Sequence, residues 1–217
     1  VSIKNGYNRP TIIKNDKSFL NVKDIRHPIV EKIHTSTEYI TNDIHLGMDK
    51  MNQDGILLFG TNACGKSTFM KAVGLNIIMA QAGLFVAASS FEFKPYTQIF
   101  TRILNNDNIF RSQSSFAVEI QELKSILNCS DKNSLILGDE LCSGTESISA
   151  LSIICSGLDI LCKRGSSFIF TSHLHELTKL SEVKELKNLE IYHLKIQYDK
   201  EKDILIYDRK LEKGSGP

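Results

Sequence analysis

The residues with the clearest chemical potential form a glycine-rich loop, Gly60-Thr-Asn-Ala-Cys-Gly65-Lys66-Ser67, which fits the pattern G-x4-G-K-[S/T]. In such a loop the glycines let backbone N–H groups curl around phosphates, and the positive N-terminal end of the next helix adds to the attraction. Lys66 can then reach the β- and γ-phosphates of a nucleotide, and the Ser67 hydroxyl can ligate Mg²⁺. The loop lies between an apolar run and a helical stretch, as this function requires, so we predict a nucleotide-binding loop.

A pair of carboxylates is the expected companion of this loop. Asp139 and Glu140 follow the apolar run Leu135-Ile136-Leu137 after a single glycine, Gly138. Ligands of α/β proteins bind at the carboxyl ends of the strands. We therefore expect Asp139 to hold Mg²⁺ through water and Glu140 to orient or deprotonate an attacking water. A lone Asp-Glu pair after a strand is more often a solvated turn or a helix start, and its position behind a phosphate loop favours the functional interpretation.

A histidine follows a third apolar run, Phe168-Ile169-Phe170, in the segment Thr171-Ser-His173-Leu-His175. From the end of a parallel strand, His173 can reach the γ-phosphate and sense it. The alternative is a surface or helix-capping histidine. His173 and His175 make a poor metal site, because no cysteine or further histidine cluster completes it.

Alternating strands and helices must position these residues. Apolar periodicity and short apolar runs between residues 56 and 180 predict an α/β fold whose mostly parallel sheet is covered by helices on both faces. Antiparallel β elements are expected at both ends of the chain. The predicted helices are 67–80, 115–128 and 150–163, the last stopped near Gly165; the buried strands are 56–59, 135–137 and 168–170; the terminal β elements are runs at 11–13 and 25–30 and a hairpin within 189–211.

Composition limits the remaining possibilities. The chain has 217 residues, 26 Lys and Arg against 25 Asp and Glu, and a formal net charge of +1. With 41% hydrophobic and 24% charged residues it is an ordinary globular chain, which excludes disorder, collagen and a strong electrostatic binder of nucleic acid in this segment alone. Five scattered cysteines without a C-x-x-C pair indicate reduced, buried thiols. No apolar stretch approaches the roughly 18 residues of a membrane span.

We therefore expect a single intracellular domain, with no membrane partner. The compartment stays open between cytoplasm, viral factory, nucleus and mitochondrion. Because residue 1 is Val, we also expect a piece of a longer protein.

Several segments, in order and spacing, resemble the ATPase domain of the MutS family of DNA mismatch repair proteins. The resemblance extends from about residue 10 to residue 217. It implies a P-loop NTPase of ABC-ATPase type over residues 1–217, with β elements on the adenine side in 1–55, the P-loop core in 56–180 and a hairpin region in 181–217. The segments that carry it are Arg26-His-Pro-Ile-Val-Glu31, Gly60 to Thr68, Ser114-Ser-Phe-Ala-Val-Glu-Ile120, Ser134 to Glu140 and Thr171 to Leu177.

The resemblance also implies roles for individual residues. Tyr39 corresponds to the aromatic that stacks on adenine, with Ile40 beside it, although Tyr39 alone could equally be a half-buried surface aromatic. Ser114 corresponds to the serine that reaches across the family dimer to the partner's γ-phosphate and acts in trans; the alternative is an ordinary N-cap. The residues expected to contact ATP or ADP in the loop are Gly60, Thr61, Asn62, Ala63, Cys64, Gly65, Lys66, Ser67 and Thr68.

Two departures from the family pattern stand out. Thr61, Ala63 and Cys64 replace the usual residues of the phosphate loop. Residues 141–150 lack an arginine and an aspartate that the family has in a loop facing the dimer. This Cys-Ser-Gly-Thr-Glu variant resembles a divergent branch found in giant viruses and coral mitochondria.

The resemblance therefore implies an ATP-hydrolysing module of a MutS-type clamp that works with a second subunit in a homodimer. Mismatched double-stranded DNA would be bound by domains outside this chain. One alternative is an ATP-gated structural or recombination-control DNA-binding dimer without mismatch recognition, which would use the same ATPase. A small-metabolite kinase is another, but it needs a lid with several arginines, and 141–165 contains only Arg164.

Overall fold

The computed structural model describes residues 3–33, 38–48, 51–61, 63–102, 115–142, 146–199 and 204–216. Within these ranges the chain forms a mixed α/β fold with ten strands in two sheets and five α-helices. The strands are β1 (Thr11–Ile12), β2 (Phe19–Ile25), β3 (Asn42–Leu46), β4 (Gly55–Phe59), β5 (Ser90–Lys94), β6 (Gln98–Arg102), β7 (Ser134–Gly138), β8 (Ser167–Ser172), β9 (Leu189–Asp199) and β10 (Ile204–Lys213). The helices are α1 (Val30–Ile33), α2 (Lys66–Gln81), α3 (Ser115–Cys129), α4 (Ser147–Arg164) and α5 (Ser181–Lys184).

The larger sheet has the order β10-β9-β4-β8-β7-β6. Every neighbouring pair from β9 to β6 is parallel, and only β10 runs antiparallel, as the partner of β9 in a hairpin. Every residue of β4, β7 and β8 is buried, which explains why these strands are continuous apolar runs rather than alternating ones. The predicted mostly parallel sheet with a C-terminal antiparallel hairpin is confirmed.

The smaller sheet has the order β1-β5-β2-β3 and mixes parallel and antiparallel pairs. Its strand β5 comes from the chain that follows α2, so the N-terminal β elements are completed by residues from the middle of the sequence. The buried Asn76 of α2 joins the segment after β2 to the segment before β5. Its amide nitrogen donates to the Arg26 carbonyl (2.9 Å), and its amide oxygen accepts the Ala87 N–H (2.7 Å).

Two apolar layers lie on opposite faces of the larger sheet. On one face, alternate residues of β4 pack with α2 and the smaller sheet, as Ile56 and Leu58 do. On the other face, Leu57 and Phe59 pack with α3 and α4. Strand residues thus alternate between the two layers, and helices cover both faces, as predicted.

The predicted β-like run at 25–30 is wrong in its position. Strand β2 ends at Ile25, and α1 begins at Val30. The His27 ring stops the strand, because its Nδ1 accepts the N–H groups of Ile29 and Val30, each at 3.2 Å, and so closes a turn that contains Pro28. Burial of the His27 ring lowers its pKa, which favours the neutral imidazole that can accept hydrogen bonds.

Alanine substitutions at two glycines are expected to change the free energy of unfolding in opposite directions. A Cβ on Gly55 would lie 2.0 Å from the buried Phe168 ring, whereas a Cβ on Gly157 in α4 would meet nothing within 4 Å. We expect Gly55→Ala to lower the free energy of unfolding by about 1–3 kcal/mol through overpacking. Gly157→Ala should raise it by about 0.5–1 kcal/mol, because alanine loses less backbone entropy in a helix. Denaturant unfolding of both variants tests this; equal effects would contradict the packing described.

Candidate functional site

The strand order brings the predicted residues to one edge of the larger sheet. Strand β8 lies between β4 and β7, with Phe59 opposite Ser172 and Gly138 opposite Phe170. The segments that follow these three parallel strands therefore leave the sheet side by side. We call this cluster, formed by residues 60–61, 63–68, Asp139, Glu140 and His173, the sheet-edge site.

The loop after β4 is curled by residues with positive φ. These are Gly60 (φ 149°), Ala63 (φ 65°) and Gly65 (φ 109°). Gly60 is also required sterically, since a Cβ there would lie 2.7 Å from the Sγ of the buried Cys64. Such curled backbone presents successive N–H groups on one side and forms a concave anion-binding surface. Asn62, which belongs to the predicted loop, lies outside the described residues.

Helix α2 begins directly after this loop. Gly65 is its N-cap and, because glycine has no side chain, it cannot cap the N–H groups of the first turn. The N–H groups at a helix start have no partner within the helix, and the dipole of a 16-residue helix favours an anion there. Ser67 and Thr68, both half-buried, lie in this first turn.

Lys66 is a buried cation at the centre of the site, with 4% of its surface exposed. Its Nζ donates to the carbonyls of Gly60 (2.6 Å) and Thr61 (3.1 Å) and lies 3.9 Å from the Glu140 Oε1. Burial lowers the pKa of Lys66, and the nearby Cys64, Glu140 and Asp139 oppose this shift. A buried ammonium next to a curled backbone is suited to an anionic ligand.

Glu140 and His173 form a close pair beside Lys66. The His173 Nε2 lies 2.5 Å from the Glu140 Oε1. An ionised carboxylate only accepts hydrogen bonds, so with Glu140 in that state the proton of this contact is carried by Nε2. The Lys66 Nζ is 3.4 Å from the same nitrogen, and with Nε2 protonated this approach is not a hydrogen bond. His173 is held by the turn after β8, in which the Leu174 N–H donates to the Ser172 hydroxyl (3.0 Å).

Thr171, which has no predicted role, joins the Asp139 carboxylate to the Glu140 backbone. Its buried hydroxyl donates to the Asp139 Oδ1 (2.6 Å) and accepts the Glu140 N–H (2.9 Å). One hydroxyl therefore fixes both the Asp139 side chain and the Glu140 backbone, in the segment that follows the neighbouring strand β7. Thr171 lies in a segment that the sequence had singled out, but only the adjacency of β7 and β8 reveals its function.

Asp139 and Ser67 are the predicted Mg²⁺ ligands. Asp139 is buried, and its backbone N–H donates to the Arg102 carbonyl at 2.7 Å. A hydroxyl and a carboxylate are the hard oxygen donors that Mg²⁺ uses, usually together with waters and substrate phosphates. No group of three or more His, Cys, Asp or Glu residues in the described part of the chain could hold a metal by itself. The donor set therefore fits Mg²⁺ shared with phosphate oxygens.

A cavity of about 220 Å³ opens beside the loop that follows β4. Its lining includes Tyr39 and Ile40, residues of this loop and the start of α2. Burial raises the pKa of Tyr39, as expected for a ring shielded from water. The predicted contact residues that share this cavity are Tyr39, Ile40, Ala63, Cys64, Gly65 and Thr68.

From the C-terminal hairpin, Leu194 and Arg209 also line the cavity, and neither was predicted from the sequence. Arg209 has a left-handed backbone (φ 61°) at an irregularity of β10 between Tyr207 and Leu211. The Asn42 side chain holds this irregularity, since it donates to the Arg209 carbonyl (3.1 Å) and accepts the Leu211 N–H (2.7 Å). No period in the sequence marks such a bulge.

The other predictions have simpler outcomes. Ser114 lies outside the described residues, so its role stays a prediction. His175 packs its ring on Phe59, with centroids 5.0 Å apart. All five cysteines are free thiols; Cys64, Cys142 and Cys162 are buried, whereas Cys129 is exposed, contrary to expectation. None of the helices in the described ranges is long and apolar enough to cross a membrane.

The hydroxyl of Thr171 provides a direct test of this geometry. Thr171→Val keeps the shape but leaves the Asp139 carboxylate and the Glu140 N–H without this partner, so we expect a loss of about 1–3 kcal/mol in the free energy of unfolding. Amide exchange at Glu140 should also become faster. Thr171→Ser keeps the hydroxyl and serves as the control. Equal stability of the Val and Ser variants, with unchanged exchange, would refute the bridging role.

Known proteins resemble this chain over nearly its whole length. Residues 56–216 match the family described as MutS domain V. The chain is 43% identical, over 97% of its length, to a putative DNA mismatch repair protein (mutS homolog) of Acanthamoeba polyphaga mimivirus. It is 40% identical, over 100% of its length, to a mitochondrial DNA mismatch repair protein (mutS homolog) of Sarcophyton glaucum. It is 37% identical, over 98% of its length, to DNA mismatch repair protein MutS of Alkaliphilus oremlandii. The alignments span only 22%, 21% and 23% of these relatives. The chain belongs to the MutS family.

Proposed function

We propose that this chain binds ATP and hydrolyses it, as the P-loop module, of ABC-ATPase type, of a MutS-type DNA mismatch repair protein. The observation that carries the proposal is the convergence of Lys66, Glu140 and His173 within 4 Å of one another, next to a curled loop and a helix start. This combination supplies positive groups for phosphates and a carboxylate for water in one place.

Phosphate binding rests on the loop and on Lys66. The N–H groups of the loop and of the first turn of α2 would surround the phosphate oxygens. Lys66 would exchange its hydrogen bonds with the Gly60 and Thr61 carbonyls for the β- and γ-phosphates, which offer a buried ammonium a full opposite charge. Mg²⁺, held by Ser67 and through water by Asp139, would neutralise charge that develops on these oxygens.

Hydrolysis rests on Glu140. Its carboxylate would accept the proton of a water as the water oxygen attacks the γ-phosphorus and the bond to the β-γ bridging oxygen breaks. The hydrogen bond from His173 Nε2 orients the carboxylate, and its position beside Lys66 allows His173 to contact the γ-phosphate. Thr171 holds Asp139 and Glu140 in register with each other.

The base of the nucleotide would occupy the cavity lined by Tyr39 and Ile40. An aromatic face stacks on any purine, which provides affinity with little selectivity for its hydrogen-bonding edge. Placement of the cavity beside Gly65 and Thr68 supports a nucleotide that runs from the base at Tyr39 to the phosphates at Lys66.

The activity of the whole protein is part of the proposal. The relatives named above are all described as DNA mismatch repair proteins, which favours mismatch repair over a clamp without mismatch recognition. A second subunit would contribute its Ser114 to the γ-phosphate, and DNA would be bound by other domains. A kinase is disfavoured, because Arg164 is engaged at the end of α3, where it donates to the carbonyls of Leu127 and Ser130.

Glu140→Gln tests the catalytic assignment. The amide cannot accept a proton from water, so we expect phosphate release to fall about a hundredfold or more while ATP binding stays within a few-fold of the wild type. Phosphate release and a nucleotide titration measure the two properties. Glu176→Gln, an exposed acid close in sequence to His173, is the matched control and should leave both unchanged. Hydrolysis by Glu140→Gln at the wild-type rate would contradict the proposal.

A further inference from the structure

Helix α3 carries a buried carboxylate, Glu119, that takes no part in the mechanism above. It lies on the buried stripe of α3 with Leu123 and Ile126, and only 4% of its surface is exposed. A carboxylate on the apolar face of a helix is costly unless it is hydrogen-bonded. Its Oε1 accepts the backbone N–H of Cys142 at 2.8 Å. Glu119 thus contacts the loop that follows Glu140 rather than solvent.

The backbone of that loop is held in an unfavourable conformation. Glu140 has φ 47° and Cys142 has φ 61°, in the left-handed region that non-glycine residues rarely adopt. Such residues keep their conformation only when their surroundings fix them. The Cys142 N–H is buried and needs an acceptor, which Glu119 provides.

Glu140 is therefore fixed from both sides. Before it, its own N–H donates to the Thr171 hydroxyl on β8; after it, the Cys142 N–H donates to Glu119 on α3. Between the two hydrogen bonds the Leu141 side chain is buried. Burial, with a smaller contribution from the Glu119 charge, raises the pKa of the Cys142 thiol to about 11, so the thiol next to this carboxylate stays protonated.

We infer that Glu119 is a positioning residue for hydrolysis: by holding the Cys142 N–H it sets the direction in which Glu140 points. The inference rests on the proposed ATPase function and extends it. It also links α3 to the hydrolytic carboxylate, because a shift of α3 by the length of a hydrogen bond releases the loop. The position of the Glu119 oxygen, rather than the charge of the carboxylate, is what holds the Cys142 N–H.

Two substitutions separate the position of the acceptor oxygen from the charge of the side chain. Glu119→Gln keeps an acceptor oxygen in place and removes the charge. Glu119→Asp keeps the charge and withdraws the oxygen by about 1.5 Å, one carbon–carbon bond. Glu122→Gln is the matched control, because Glu122 lies one turn further along α3 and its side chain is 47% exposed. Its carboxylate pairs with the Arg102 Nε at 2.9 Å, and the amide oxygen of the variant keeps an acceptor beside that nitrogen. For each variant we would measure kcat for ATP, the Kd for the Mg²⁺ complex of a non-hydrolysable ATP analogue, and amide exchange at Cys142.

We expect Glu119→Asp to lower kcat about tenfold or more, with Kd unchanged and faster exchange at Cys142. Glu119→Gln and Glu122→Gln should stay within about threefold of the wild type. The inference is overturned, with the ATPase function intact, if Glu119→Asp hydrolyses ATP at the wild-type rate, if Glu119→Gln loses kcat equally, or if Kd rises as kcat falls. A wild-type protein that neither binds nor hydrolyses ATP would overturn the proposed function, and this inference with it.

Discussion

The parallel pairing of β8 between β4 and β7 is the constraint on which the site depends. It sets the ends of three strands side by side, so that the glycine-rich loop, the two carboxylates and His173 leave the sheet at one edge. The central position of β8 explains the contacts at its end. Thr171, in the strand, contacts Asp139 and Glu140. His173, just after the strand, approaches Lys66 and Glu140. A different strand order would separate these groups even if every strand formed.

Within this frame the site concentrates features that are unfavourable on their own. A lysine and carboxylates are buried together, and several residues of the two loops have left-handed backbone. Each is stabilised by a specific partner: backbone carbonyls for Lys66, the Thr171 hydroxyl for Asp139, and Glu119 for the loop after Glu140. Such preorganised polar groups can act on developing charge without first rearranging.

Much of this arrangement could be predicted from the sequence, because buried strands and amphipathic helices have clear patterns. The predicted runs 56–59, 135–137 and 168–170 and the predicted helices 67–80, 115–128 and 150–163 lie within a few residues of the observed bounds. Strand β2 was misplaced, since the capping ring of His27 follows no periodicity. Thr171, Arg209 and Glu119 were missed as functional residues because their roles arise from strand order, a bulge and helix packing, which pair residues far apart in the chain.

In the proposed function, the sheet-edge site holds the triphosphate of a nucleotide. The most direct measurement is a crystal structure of the protein with Mg²⁺ and a non-hydrolysable ATP analogue. We expect the γ-phosphate at about 3 Å from the Lys66 Nζ, with adenine stacked on Tyr39. A triphosphate bound away from residues 60–67, with Lys66 still on the Gly60 and Thr61 carbonyls, would contradict this binding mode.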